Sequence, residues 1–269
     1  MESAGADRWR FTCKPRAGFH HGKQTSSAIL ISVTFSQAEY EVRCEWGLQG
    51  LKAIGPISDV IVLVDILSFT TSIDIATARG GMIFPYPLKG ESAAAYAASV
   101  HAELALAHRG EGFSLSPVSL AGLPDGHRLV LPSPNGAALA FSLDHPAVFA
   151  ACLRNATAVA QVAARFGTTI GIIAAGERWP GGELRPCLED WIGAGAVIAA
   201  LSGRRSVESA AAEAVFDRFR ENLLQTLRLS GSGKELIERG FGMDVDLAAE
   251  LDISANVPRL VDHAFVAFH

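Results

Sequence analysis

The sequence predicts an α/β fold, with a mostly parallel or mixed sheet covered by helices. Three observations carry that expectation. Val60-Ile-Val-Leu-Val64 is a run of apolar residues, nearly all β-branched, as in a strand buried on both faces. From there to Leu201, strand-like and helix-like stretches alternate. Several buried runs also end in a polar corner that opens a helix. Asp65 stands at the first such corner, at the carboxyl end of a strand, where open α/β sheets keep their ligands.

Taken in order, residues 1–27 are polar, basic and aperiodic, and read as a disordered tail or an over-extended start. Residues 28–269 read as one domain, with room for two lobes. Ala28–Phe35 is a short strand candidate. Alternation of Ala38, Tyr40, Val42, Cys44 and Trp46 with charged neighbours predicts a strand with one wet face, suited to a sheet edge. After Val60–Val64, apolar residues at helical spacing run to Gly80-Gly81. Then come a strand over Met82–Tyr86, an alanine-rich helix over Glu91–His108, and a loop through Arg109 to Pro117.

Arg128–Leu131 is the next strand, and it exits through Pro132-Ser-Pro-Asn135-Gly136 into a helix over Ala137–Leu143. Val148–Leu153 is a strand, and Asn155 caps a helix that ends at Phe166. Thr168–Ala175 is the last strong strand. It leaves through Gly176-Glu177-Arg178 toward a helix that opens at Cys187-Leu-Glu189-Asp190. From Val207 to Leu227 apolar residues recur every fourth position, which predicts one long amphipathic helix over 206–229. Such a helix covers its own sheet or serves a homodimer. Shorter helical pieces follow near Glu235–Arg239 and Val245–Leu251.

The net charge is −5, and residues 1–34 carry +3 of their own, which leaves −8 for the rest. A chain so acidic is no phosphate-tracking nucleic-acid binder. The four cysteines form no C-x-x-C pair and no zinc spacing, which fits a reducing cytoplasm. No apolar run reaches the roughly 18 residues of a membrane span. Gly231-Ser-Gly-Lys234 is not a phosphate-binding loop, because Arg228 stands at the first glycine position and Glu235 at the hydroxyl position.

The chemistry is expected at three corners: Asp65 with Ser68, Thr70 and Thr71; Ser133 with Asn135; and Glu177 with Arg178. Right-handed crossovers would bring all three to one sheet edge. Glu189 and Asp190 add two acids in the first turn of the following helix. Carboxylates gathered without matching lysines suit a hard divalent cation, Mg²⁺, which keeps waters and bridges to phosphate. Asp65, Glu189 and Asp190 are its candidate ligands. Arg109, Arg178 and Arg185 lie in loops that could hold an anion.

The corners in sequence, Val64-Asp65-Ile-Leu-Ser-Phe-Thr70-Thr71, Pro134-Asn135-Gly136, Asn155-Ala-Thr157, Ala174-Ala-Gly176-Glu177 and Leu188-Glu189-Asp190, resemble the 2-phosphosulfolactate phosphatase family of coenzyme M biosynthesis. Gly240-Phe241, Asp244, Asp252 and Val257-Pro258 extend the likeness, which spans Phe35 to Leu260. The resemblance implies a three-layer α/β, Mg²⁺-dependent phosphomonoester hydrolase acting on a small acidic phosphate ester. In that reading Asp65 and the later acids hold the metal, and Glu177 is the general base. Ser68, Thr70, Thr71 and Asn135 meet phosphoryl oxygens, and Arg109 or Arg178 stabilises developing charge. The family pattern commonly has an arginine where this chain has Ser68. That departure keeps two alternatives open: a non-catalytic binder of small anions, and a hydrolase of sugar or nucleotide phosphates.

Overall fold

A computed structural model describes residues 35–110 and 112–268. The tail over 1–27 and most of the Ala28–Phe35 strand lie outside the described residues. In chain order the elements begin with β1 (Val42–Trp46), α1 (Gly47–Ile54), β2 (Val60–Val64), α2 (Phe69–Ala78), β3 (Met82–Tyr86), α3 (Glu91–Ser99) and β4 (Glu103–Leu104). There follow α4 (Pro117–Leu120), β5 (Arg128–Pro132), α5 (Gly136–Phe141), β6 (Val148–Ala151), α6 (Ala156–Phe166), β7 (Ile170–Ala174), β8 (Glu177–Arg178) and β9 (Leu184–Arg185). The chain ends with α7 (Leu188–Ala199), α8 (Val207–Phe219), α9 (Leu223–Leu229), α10 (Gly231–Glu238), α11 (Gly242–Ala248), β10 (Pro258–Val261) and β11 (Ala264–Ala267).

Nine strands form one mixed sheet in the order β1-β7-β2-β6-β10-β11-β3-β5-β4, as expected of an α/β fold. β1, β7, β2 and β6 pair in parallel, and so do β3, β5 and β4. The antiparallel hairpin β10–β11 joins the two sets through the pairs Arg259–Phe149 and Phe265–Ile83.

Strand β2 shows why three layers form. Val60, Val62 and Val64 enter an apolar core with Val159 of α6, Ile192 of α7 and Phe216 of α8. Ile61 and Leu63 point the other way, into a second core with Ile54 of α1, Ile73 of α2 and Leu139 of α5. The period-2 geometry of a strand thus splits one apolar run between two cores. Each fully buried side chain of this size contributes about 1.5–3 kcal/mol. Both faces must therefore be covered, and the residues at the strand's end are held rigidly.

Three elements depart from the sequence-based expectation. The helix expected to reach His108 stops at Ser99. His101 adopts a left-handed φ of 51°, and the N–H of Ala102 closes onto the carbonyl of Ala97 at 3.0 Å. This is a Schellman ending made without its usual glycine, so composition did not announce it. The segment beyond it contains β4, at the sheet edge. The long helix over 206–229 is instead α8 and α9 joined by a tighter 3₁₀ turn, Arg220–Asn222. The apolar side of α8 packs on α7 and β1 of the same chain.

The alternating stretch from Ala38 is a strand only from Val42. β1 does lie at the sheet edge, but Arg43 is buried rather than on a wet face. Its guanidinium donates to the carbonyls of Gln37, Ala38, Tyr40 and Ile57, which folds residues 37–40 back over the strand.

Candidate functional site

Asp65 leaves β2 into a corner built around its carboxylate. Oδ1 accepts from the N–H of Phe69 at 3.2 Å, and Oδ2 accepts from the N–H of Gly136 at 2.8 Å. The acid thus draws the start of α2 and the start of α5 to one point, although only 6% of its surface is exposed. Gly136 is required there. A Cβ at that position would sit 2.5 Å from Oδ2 of Asp65 and 2.5 Å from the Phe69 ring.

Thr70 and Thr71 are fully buried, and their hydroxyls face the backbone of this corner. Thr70 Oγ1 donates to the Asp65 carbonyl at 2.8 Å and accepts from the Asp65 N–H at 2.9 Å. Thr71 Oγ1 donates to the Ile66 carbonyl at 2.8 Å. Their contribution is to fix the corner. Ser68 instead faces Arg109, whose Nη2 donates to its Oγ at 2.9 Å.

Asp190 ties two strand exits together. Its Oδ1 accepts from the N–H of Ile66, after β2, and its Oδ2 from the N–H of Gly176, after β7, both at 2.8 Å. Glu189 beside it, in the first turn of α7, is also buried. Gly176 has φ +67°, which turns the chain so that Glu177, half-buried, faces the Asp65 corner.

Two of the carboxylates, Asp65 and Asp190, are perturbed. Burial, then the charge of Glu177 and more weakly that of Glu189, pushes Asp65 up to about 7, against the pull of its two backbone N–H donors. Burial, with the charges of Asp65 and Glu189, also raises Asp190 well above the usual carboxylate range.

Arg109 brings positive charge to the same corner from the loop after β4. It pairs with Asp244 at the start of α11, and its guanidinium lies 5.5 Å from the Phe241 ring centroid. Asp244 is buried and also accepts from Ser116 Oγ at 2.5 Å and the Val118 N–H at 3.2 Å. Arg109, Glu177, Leu67 and Pro132 line a polar cleft of ≈ 150 Å³.

Glu177 also borders a second hollow of ≈ 290 Å³ with Asn135, Arg178 and Trp46. Arg178 is exposed on that side and donates to the Gly182 carbonyl at 3.0 Å. Asn135 precedes α5, half-buried, with its N–H toward Ser133 Oγ at 3.3 Å.

Asp65 thus feels the charges of Glu177 and Glu189, and Asp190 those of Asp65 and Glu189, with Arg109 and Ser68 adjoining. Arg178 and Asn135 border the neighbouring hollow. Two further cations at the polar cleft, Lys89 and Arg239, escaped the sequence reading. Each is a single basic residue in an unremarkable stretch, with no local pattern to mark it. Among the described residues, no three His, Cys, Asp or Glu side chains are gathered into a ready-made metal cage. The donor chemistry nevertheless fits Mg²⁺, which takes one or two protein carboxylates and completes its shell with water and phosphate. Glu189 adds a carboxylate beside Asp190, and Asp65 retains lone pairs beyond its two N–H bonds.

The site so defined is a set of acids at the strand ends of an α/β sheet, with an arginine beside them. The family model of 2-phosphosulpholactate phosphatase matches residues 50–263. A "Probable 2-phosphosulfolactate phosphatase" of Gloeobacter violaceus is 30% identical over 212 residues, covering 75% of this chain and 88% of the relative. Proteins printed under the same name from Deinococcus radiodurans and Carboxydothermus hydrogenoformans are 31% and 30% identical. They cover 76% and 74% of this chain, and 88% and 84% of their own lengths. The chain belongs to the 2-phosphosulfolactate phosphatase family.

Proposed function

We propose that this protein is a Mg²⁺-dependent phosphomonoester hydrolase acting on a small acidic ester, with 2-phosphosulfolactate as the first substrate to test. The supporting observation is the Asp65 corner: a buried acid between two backbone N–H donors, raised by the charges of Glu177 and Glu189, with Arg109 alongside. Family membership supports the phosphatase chemistry.

Asp65 and Glu189 would hold the cation, and Asp190 would brace the corner they share. A bound Mg²⁺ would supply neutralising charge to the phosphoryl oxygens and polarise the ester. Glu177, half-buried at the mouth of the cleft, takes a proton from the attacking water. The new bond joins water oxygen to phosphorus, the ester P–O bond breaks, and the departing alkoxide takes the proton from Glu177 and leaves as the alcohol. Arg109, held by Asp244 and Ser68, faces the charge that develops on the phosphoryl group.

The direct test is phosphate release by wild type and Asp65→Asn, with Mg²⁺ and with chelator. Mg²⁺-dependent release that the variant loses supports the proposal. Full turnover by the variant refutes the assignment of Asp65. Saturable ester binding without release under any condition would make the protein a binder.

A further inference from the structure

The hydrolytic step leaves the side chain of Asn135 unused. Asn135-Gly136 is the only Asn-Gly pair in the chain, and its glycine is imposed by the fold, because Asp65 and the Phe69 ring fill the space of a Cβ. Glycine has no side chain to shield its own nitrogen, so that nitrogen can approach the amide carbon of the asparagine before it.

The backbone is already turned for such an attack. Asn135 has φ −107° and ψ −90°, outside both the helical and the extended regions. At this ψ the Gly136 nitrogen lies on the Cβ side of Asn135. Closing a five-membered ring then needs little beyond a turn about the Cα–Cβ bond. The Asn135 side chain does not cap α5, and it borders the ≈ 290 Å³ hollow, which gives it room to turn and gives water access. Gly136 opens α5, so its hydrogen stands outside the helical ladder and is donated to Asp65 Oδ2 at 2.8 Å instead.

We propose that Asn135 is a site of spontaneous modification, converting through a cyclic imide to aspartate and isoaspartate and loosening the Asp65 corner as it does so. The Gly136 nitrogen bonds to Cγ of Asn135, the bond from Cγ to the side-chain nitrogen breaks, and that nitrogen leaves as ammonia with the hydrogen from Gly136. Water from the hollow then adds to one of the two imide carbonyls and opens the ring. Opening at Cγ gives aspartate, and opening at the main-chain carbonyl gives isoaspartate.

Each stage disturbs the corner. The imide nitrogen carries no hydrogen, so the Asp65 carboxylate loses one of its two backbone donors. Both products add a negative charge at the hollow that Glu177 borders. Isoaspartate also lengthens the main chain by one carbon where it enters α5.

The experiment ages the purified protein in warm, mildly alkaline buffer and follows the peptide that contains residue 135 by mass. Asn135→Ala and a free peptide of residues 128–143 are aged alongside. Wild type should gain about one mass unit at Asn135, before Asn155, Asn222 or Asn256 react and no more slowly than the free peptide. The same fragment should become a substrate for isoaspartyl methyltransferase labelling. The urea unfolding midpoint should fall as the modified fraction grows, and should stay constant in aged Asn135→Ala. Should that variant not fold, Asn135→Gln, whose longer side chain closes its ring far more slowly, takes its place.

An Asn135 that stays intact in the folded protein while the free peptide reacts overturns the proposal. Modification that leaves the unfolding midpoint unmoved overturns it as well.

Discussion

The carboxylate of Asp65 and the backbone N–H of Gly136 meet at 2.8 Å, across 71 residues of chain. This contact joins the exit of β2 to the start of α5 and leaves no room for a side chain at position 136. Gly136→Ala would place a methyl 2.5 Å from both Oδ2 and the Phe69 ring, so the carboxylate must shift. Displacement of a reacting group by about 1 Å can cost roughly 100-fold in rate. We expect kcat/KM to fall by that order with the fold retained, as measured by steady-state phosphate release and circular dichroism.

Asp65 also makes metal-free stability depend on pH. Its ordinary value is 3.8 and its folded value about 7, so between these the native state binds the extra proton. Stability contributed by that proton is full below the lower value, falls as pH rises through the window, and levels off above it. The raised Asp190 acts in the same direction. Denaturant unfolding in chelator at several pH values from 4 to 8 should show this decline, and Asp65→Asn should flatten it. Equal slopes for both proteins would contradict the assignment.

Asp190→Asn tests the clamp between β2 and β7. Both carboxylate oxygens accept N–H bonds, whereas an amide accepts with one atom and presents N–H to the other donor. An unsatisfied buried donor costs about 1–3 kcal/mol. Unfolding midpoints should drop accordingly, and kcat should fall because the Ile66 and Gly176 corners lose their register.

Arg109→Ala leaves Asp244 buried without its cation. Removing one partner of a buried pair costs about 3–5 kcal/mol, and removing both often costs less. The double variant with Asp244→Ala should therefore recover part of the lost stability but not the activity. A double-mutant cycle on unfolding free energy and kcat separates the two effects.

Much of this arrangement was legible because it is local. Five apolar residues ending on Asp65 announce a buried strand and its polar exit, and Glu189-Asp190 at a helix start is equally plain. The sense of the threonine hydroxyls was not legible: it depends on rotamers chosen against the Asp65 and Ile66 carbonyls. The Arg109–Asp244 pair spans 135 residues, which no local pattern encodes. The hairpin β10–β11 turns through Asp262 and His263 at φ 48° and 65°, without the glycine that normally signals such a turn. α1 follows a tryptophan without a side-chain cap, and its start carries no acidic residue.

The most direct test of the central claim is phosphate release from 2-phosphosulfolactate by the purified protein, with Mg²⁺ and then with chelator in excess. Release that requires the cation, and disappears in Asp65→Asn, is the predicted result. Release unaffected by chelator, or no release from any phosphomonoester, would contradict it.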